Sequence, residues 1–316
     1  MLLSFKLSIG KVGIARVPLY TNEAIAALPI RDSSCLLTDY LYWALKSIDL
    51  TLGLDRAAKG LTLNKEKLVG IAIPVPPLTE QRRIAEVLDR AEALRAKRRA
   101  ALAQLDTLAQ SIFLDLFGDP ATNPKGWPRK RISDVATVIT GNTPPRAVPG
   151  YYGTEIEWIK SDNINTPHYY LTRADEGLSA LGKTVARIVP AGSILVTCIA
   201  GSPECIGNAA ITDRDVAFNQ QINALVPHDA DSHFLYAQLL VGKRLVQQAS
   251  TSAMKGMVSK SRFEGIMLMC PPMPLQRKFA SRVVSVEKLR TTHRASLAEL
   301  DALFAALQHR AFRGEV

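Results

Sequence analysis

Three polar stretches in the second half of this chain hold side chains suited to reading or gripping a nucleic acid. Lys160-Ser161-Asp162-Asn163 offers donors and acceptors for base edges, and a carboxamide such as that of Asn163 matches the paired edge atoms of adenine. Gly141, Asn142, Thr143 and Arg146 mark a turn that serves either as a second reading loop or as plain hairpin chemistry. Ser202, Lys255, Ser259 and Lys260 lie in small, polar, basic stretches fit for phosphate oxygens. In the first half Lys59 and Lys65 are weaker candidates for the same work. The cluster Arg95, Lys97, Arg98 and Arg99 reads either as a solvated helix face or as a contact with a partner or with DNA.

Motifs for catalysis are missing. There is no G-x-x-x-x-G-K-[ST] phosphate loop and no strand-bounded G-x-G-x-x-G. An amino-methyltransferase needs an Asn/Asp-Pro-Pro-aromatic tetrapeptide, and Asn142-Thr143-Pro144-Pro145-Arg146 does not supply it. The five histidines lack partners at metal-ligand spacing, and the four cysteines form no C-x-x-C pair, so no metal site is expected. A net charge of +10 favours a polyanionic partner, yet it is dispersed along the chain and forms no basic tail. No apolar run is long enough for a membrane span.

The elements that must hold these loops are set by an internal repeat. Pro76-Pro77-Leu78-Thr79-Glu80-Gln81-Arg82-Arg83-Ile84-Ala85 returns at an offset of 195 as Pro271-Pro272-Met273-Pro274-Leu275-Gln276-Arg277-Lys278-Phe279-Ala280. Residues 9–28 lie on 206–225 at an offset of 197, with Asn22 on Asn219 and Ala27-Leu28 on Ala224-Leu225. After each Pro-Pro pair comes an apolar stripe in steps of three and four, the mark of one helix face. In the first copy it runs Ile84, Leu88, Ala91, Leu94, Leu102, Leu105, Leu108, Ile112 and Leu116. In the second it runs Phe279, Val283, Val286, Leu289, Leu297, Leu300, Leu303, Leu307 and Ala311, and the polar break at Arg98 repeats at His293. Two matched stripes predict long helices buried against each other as an antiparallel pair. Thr79 is the expected N-cap of the first helix, and Pro274 suits the first position of the second.

Between the helices lies a Pro/Gly linker, then short β-type runs at Val135–Ile139, Ile156–Ile159, Ser193–Ile199, Asn208–Thr212 and Gln221–Val226. His233–Ala249 reads as helix. The fold class is therefore α+β, with two β-rich domains separated by two long coiled-coil-like helices. The expected divisions are a first β-rich domain at 1–77, a helix at 78–117, a linker at 118–127, a second β-rich domain at 128–272 and a helix at 273–314. The counterpart of 127–193 has no place before Met1, so the first domain is expected to be partial. Asn22 and Asn219 recur in both copies, cannot encode two different sequences, and are expected to satisfy backbone groups.

This constellation resembles the specificity subunit of type I restriction–modification systems. The patterns that carry the resemblance are Pro76–Ile84, Leu114-Asp115-Leu116-Phe117-Gly118, Gly141-Asn142-Thr143-Pro144, Phe218-Asn219-Gln220-Gln221 and Pro271–Phe279. They stand in the family's order and cover nearly the whole chain. The resemblance implies two target recognition domains that read the halves of a split site on double-stranded DNA, and a helix pair that sets the unread gap. It implies partners too: two modification subunits that bind S-adenosylmethionine and methylate adenine, and a restriction subunit that uses ATP and Mg. No cofactor is then expected on this chain, and the setting is cytoplasmic. Two other readings stay open, a helical scaffold that binds only proteins and an enzyme of unfamiliar type.

Overall fold

The computed structural model describes residues 1–6, 9–50, 68–148, 150–251 and 256–314. The chain forms two compact units, one of Met1–Leu102 with Thr292–Val316 and one of Ala103–Thr291. In chain order the smaller unit opens with β1 (Leu2–Ser4), β2 (Val12–Gly13), β3 (Ile25–Ala27) and α1 (Thr38–Ser47). Helix α2 (Leu78–Phe117) passes from this unit into the larger one. Next come β4 (Arg129–Arg131), α3 (Ile132–Val135), β5 (Ala136–Thr140), β6 (Tyr152–Ile159), α4 (Ser161–Ile164), β7 (Gly177–Leu178), α5 (Ala180–Val185) and β8 (Ile188–Val189). They are followed by β9 (Ile194–Thr197), β10 (Ile199–Ala200), β11 (Ala209–Ile211), β12 (Val216–Phe218) and β13 (Ile222–Pro227). Last are α6 (Ser232–Val241), α7 (Lys243–Gln248), β14 (Gly256–Met257), α8 (Lys260–Glu264), β15 (Met267–Met269) and α9 (Met273–Ala311).

Alternation along the strands builds the larger unit. Its two four-stranded sheets run β11-β9-β13-β5 and β7-β6-β12-β8. Leu195, Ala210, Ile222 and Ala224 point from the first sheet to the second, where they meet Ile159, Val189, Val216 and Phe218. Their sequence neighbours Ile194, Val196, Ala209, Ile211 and Leu225 point the other way, onto helices. Period-two side-chain geometry thus gives one sheet two buried faces. On the helical face Phe113 and Phe117 of α2 meet Phe234 of α6 and Phe279 of α9, with ring centroids 4.8–5.8 Å apart.

In each unit the α2 and α9 segments run antiparallel. Arg95 Nε bonds Asp301 Oδ1 at 2.6 Å and Arg98 Nη1 meets His293 Nδ1 at 3.2 Å, so rising numbers on one helix meet falling numbers on the other. In the larger unit Arg290 Nη2 bonds Asp106 Oδ1 at 2.6 Å. The repeated polar break is thereby explained, because Arg98 and His293 satisfy each other. Of the stripe residues, Ile84, Leu88, Phe279, Val283, Val286 and Ala311 are buried, while Leu102, Leu105, Ile112, Leu297, Leu300 and Leu307 are half-buried. Leu94, Leu108, Leu289 and Leu303 are corrections to the predicted seam: they stand 54%, 39%, 51% and 54% exposed. A helix advances 3.6 residues per turn, so a leucine repeat near 3.5 drifts off the contact face. Ala109, Phe113, Arg290 and Phe304 take the inward positions instead.

The Pro-Pro…Gln pattern has a mechanical meaning. Gln81 is fully buried and its Nε2 donates to the carbonyls of Pro76 and Cys35, both at 2.8 Å, while Oε1 accepts from the Leu37 amide at 2.9 Å. Gln276 does the same in its own unit: Nε2 donates to Pro271 O at 2.8 Å and Oε1 accepts from the Asp231 amide at 3.0 Å. Each glutamine ties the start of a long helix to the segment that leads into α1 or α6. The helix begins at Leu78, so Thr79 lies inside its first turn and is not the N-cap. Likewise Met273 opens α9 and Pro274 is second, still among amides that need no intrahelical partner. The predicted helix 233–249 is broken at Gly242, where a Cβ would sit 2.8 Å from Gln238 O.

Candidate nucleic-acid interface

The turn Phe218-Asn219-Gln220-Gln221 joins β12 to β13, and the three polar stretches close upon it. Gly141 passes so near that a Cβ there would lie 2.2 Å from Asn219 O and 2.4 Å from Phe218 O. Beside it the Thr143 hydroxyl bonds Gln220 Oε1. Ser161 Oγ donates to Gln221 Oε1 at 3.3 Å. The Gln221 carbonyl accepts from the amides of Cys198 and Ile199 at 2.8 and 3.0 Å, which fixes the start of β10. Strand β10 leads to Ser202 and pairs with β14, which leads to Ser259 and Lys260. One turn therefore anchors all three stretches. Asn219 shapes it as an Asx turn, Oδ1 accepting from Gln221 N at 3.1 Å, and Asn22 makes the same bond to Ala24 N at 3.1 Å.

Two of the stretches also share a carboxylate. Arg146 Nη1 lies 2.7 Å from Glu176 Oε1, and Lys160 Nζ bonds Glu176 Oε2. The Arg146 guanidinium sits 4.6 Å over the Tyr152 ring, and Lys160 Nζ lies 5.4 Å from the Trp158 ring centre. The Arg146 bond holds the Glu176 carboxyl below its ordinary range, with burial opposing and Lys160 adding to the effect. Two cations on one carboxylate leave a net positive, aromatic-backed patch. Such a patch offers a phosphate or a base edge a charge already held in place.

The remaining candidates divide between exposed groups and groups the fold consumes. Asn142 is spent internally: Nδ2 donates to Val185 O at 2.9 Å and Oδ1 accepts from Arg187 N at 2.8 Å. Asn163 is spent as well, Oδ1 capping Lys160 N at 3.0 Å and Nδ2 bonding Arg173 O at 3.1 Å. Each carboxamide is thus engaged within the fold at both its oxygen and its nitrogen, a positioning role the sequence alone did not indicate. Ser259 caps α8 through Arg262 N at 3.4 Å, Lys260 lies 3.5 Å from Glu264, and Ser202 bonds Glu204. Asp162 is exposed. Lys59, Lys65 and Lys255 lie outside the described residues. Within the mid-helix cluster Arg95 pairs with Glu92 and Asp301 and Arg98 meets His293, while Arg99, also paired with Glu92, and Lys97 are exposed.

Sequence reasoning passed over Glu176, Tyr152, Gln220 and Gln221 as site residues. Only the two glutamines had a signal in the sequence, the Phe-Asn-Gln-Gln pattern. Another carboxylate behind this surface, Glu157, bonds Arg214 Nε at 2.9 Å, Arg173 Nη1 at 2.6 Å and the Ala174 amide at 3.0 Å. Burial raises its pKa, yet these bonds outweigh burial and bring it from 4.5 to about 2. A carboxylate held lower when folded than when unfolded contributes stability above the unfolded value, lost as pH falls toward the folded one. Stability of the larger unit should therefore fall between pH 4.5 and about 2. In Glu157→Gln that fall should be shallower in denaturant titrations across the same window; an unchanged slope would take Glu157 out of the acid response.

Among the described residues no three His, Cys, Asp or Glu side chains gather as a metal site, and no helix is long and apolar enough to cross a membrane. Residues 1–104 and 124–302 match the family described as the type I restriction modification DNA specificity domain. The specificity subunit of the type I restriction enzyme HindI from Haemophilus influenzae is 29% identical over 199 residues, 61% of this chain and 42% of that subunit. That of MjaIX from Methanocaldococcus jannaschii is 33% identical over 117 residues, 36% of this chain and 26% of that one. The chain thus spans less than half the length of these curated relatives. In fold it is similar to the S subunit of a type I restriction–modification system from M. genitalium, with TM-score 0.62 and 14% identity over 98% of this chain and 82% of that one.

Proposed function

Because this chain belongs to the type I restriction modification DNA specificity family, we propose that it is a DNA-reading specificity subunit, without catalysis of its own, in a type I restriction–modification complex. The observation that carries this reading is the family match in two blocks, residues 1–104 and 124–302. Residues 128–272 act as a target recognition domain, residues 1–77 as part of another, and 78–117 and 273–314 as the spacer helices. The partners are double-stranded DNA, two modification subunits that carry S-adenosylmethionine, and a restriction subunit that carries ATP and Mg, all in the cytoplasm. The patch of Arg146, Lys160 and Trp158 supports the DNA role through its fixed positive charge.

In this reading Lys160→Ala and Arg146→Ala each weaken specific binding by about 1–3 kcal/mol. Asn163→Ala should act through the stability of the Lys160 loop. Fluorescence anisotropy on a duplex taken from the methylated motif of the host, with the modification partner present, checks both. Unaltered affinity in Lys160→Ala and Arg146→Ala would remove the patch from the interface. The spacer role has its own test. Adding one heptad to each helix, after Leu102 and after Thr291, keeps the seam in phase and lengthens the pair by ~10 Å. The recognised gap should then grow by about three base pairs, while an unchanged gap in an active complex would end the ruler idea.

A further inference from the structure

Arg146 grips Glu176 as a fork: Nη1 lies 2.7 Å from Oε1, and Nη2 donates to Oε2 at 3.1 Å. Both partners are held from behind. The guanidinium lies 4.6 Å from the Tyr152 ring centre and 5.7 Å from that of Trp158. Those rings are fixed in turn, the Tyr152 hydroxyl donating to Pro144 O at 2.8 Å and the Trp158 indole to Asn142 O at 3.1 Å. Behind the carboxylate, Glu176 O accepts from the Trp158 amide at 3.0 Å. Gly177 then runs so close to β6 that a Cβ there would lie 2.6 Å from Gly153 O and 2.8 Å from Ile156 O. The carboxylate is thus presented from a fixed main chain, and the guanidinium plane from a fixed aromatic bed.

Neither group is exhausted by the fork. A guanidinium has five N–H donors, of which the fork uses one on each terminal nitrogen. A carboxylate has about four lone-pair sites, and besides the fork only Lys160 Nζ draws on this one among the described residues. The Arg146 side chain is 59% exposed and that of Glu176 26%, so both reach the surface. The result is a planar donor edge beside an acceptor, at one set spacing. Such a pair is selective. A phosphate oxygen is drawn by the guanidinium but repelled by the carboxylate against it. A base pair with acceptors and a donor side by side meets both.

In the major groove guanine presents two adjacent acceptors, O6 and N7, and its partner cytosine presents an amino donor next to them. Adenine sets an amino donor beside its N7, so it cannot meet a guanidinium edge with two acceptors. Building on the reading of this patch as part of the DNA interface, we propose that Arg146 and Glu176 act as one unit that reads a G·C pair. Arg146 donates to guanine O6 and N7, and Glu176 accepts from the cytosine N4 amino group. Lys160, a point charge without a plane, adds attraction without choosing a base.

The test uses the full chain with its modification partner and a duplex carrying the methylated motif of the host. Each guanine in turn is replaced by 7-deazaguanine, which lacks N7, and each cytosine by 2-pyrimidinone, which lacks the 4-amino group. The wild type should lose about tenfold in affinity from either change at one G·C pair. Arg146→Ala should erase the loss at that guanine, and so should Arg146→Lys, which keeps the charge but not the fork. Glu176→Ala should erase the loss at the cytosine paired with it. Erasure at two different base pairs, or at none, would overturn the paired reading, as would an Arg146→Lys variant that still senses N7. Failure of the underlying reading looks different: the wild type would bind the motif no better than a random duplex, or Arg146→Ala and Lys160→Ala would bind every duplex as the wild type does.

Discussion

Gly141→Ala should cost the larger unit on the order of 3 kcal/mol or more, the effect expected of a methyl group driven into backbone. Its Cβ would meet two carbonyl oxygens, of Asn219 at 2.2 Å and Phe218 at 2.4 Å, and neither can rotate away as a side chain would. Relief requires the turn to move. The turn in turn holds Thr143, Ser161 and the start of β10. The substitution should therefore scatter all three polar stretches while leaving the helix pair in place. Near-ultraviolet circular dichroism should report it, because the Trp158 indole donates to Asn142 O next to this glycine at 3.1 Å. A wild-type denaturation midpoint in Gly141→Ala would mean that the approach is looser than described.

Truncating the phenylalanine cluster should be as damaging. Phe113, Phe234 and Phe279 are each fully buried, and Phe113 touches both of the others at the junction of α2, α6 and α9. Phe113→Ala or Phe279→Ala should lower stability by about 3–5 kcal/mol. The contrast lies along the same helices: Leu108→Ala and Leu303→Ala should change it by less than about 0.5 kcal/mol, since both leucines face outward. Chemical denaturation of the four variants decides the matter. A loss at Leu108 equal to that at Phe113 would restore the simple leucine seam.

What the sequence disclosed, and what it hid, follows from the range of the contacts. Helices α2 and α9 were legible because their signal is local and stated twice. Asn22 and Asn219 were legible as backbone-satisfying residues because duplication argues against a reading role. Glu176 was not, since its partners Arg146 and Lys160 lie 30 and 16 positions away across intervening strands, and no local pattern ties them. Asn142 and Asn163 looked like readers because a carboxamide offers the same donor and acceptor to adenine as to a peptide group. Only the positions of Val185, Arg187 and Arg173 reveal which one it meets. The drift of Leu108 and Leu303 out of the seam depends on helix phase, which a list of apolar positions does not fix.

The glutamine at the head of each long helix carries a further consequence. Every atom that Gln81 and Gln276 bond belongs to the main chain: Cys35 O, Leu37 N and Pro76 O in one case, Asp231 N and Pro271 O in the other. A joint made this way is blind to the side chains of the domain it fastens. Recombination between genes within the shared Pro-Pro…Gln stretch would therefore deliver a new upstream domain to an old helix with the joint's hydrogen bonds already in register. The incoming domain would need only to bring its chain to the same two or three peptide groups, whatever its own sequence. The repeat is thus an interchangeable coupling, one that lets the domains' surfaces diverge while the frame that carries them stays the same.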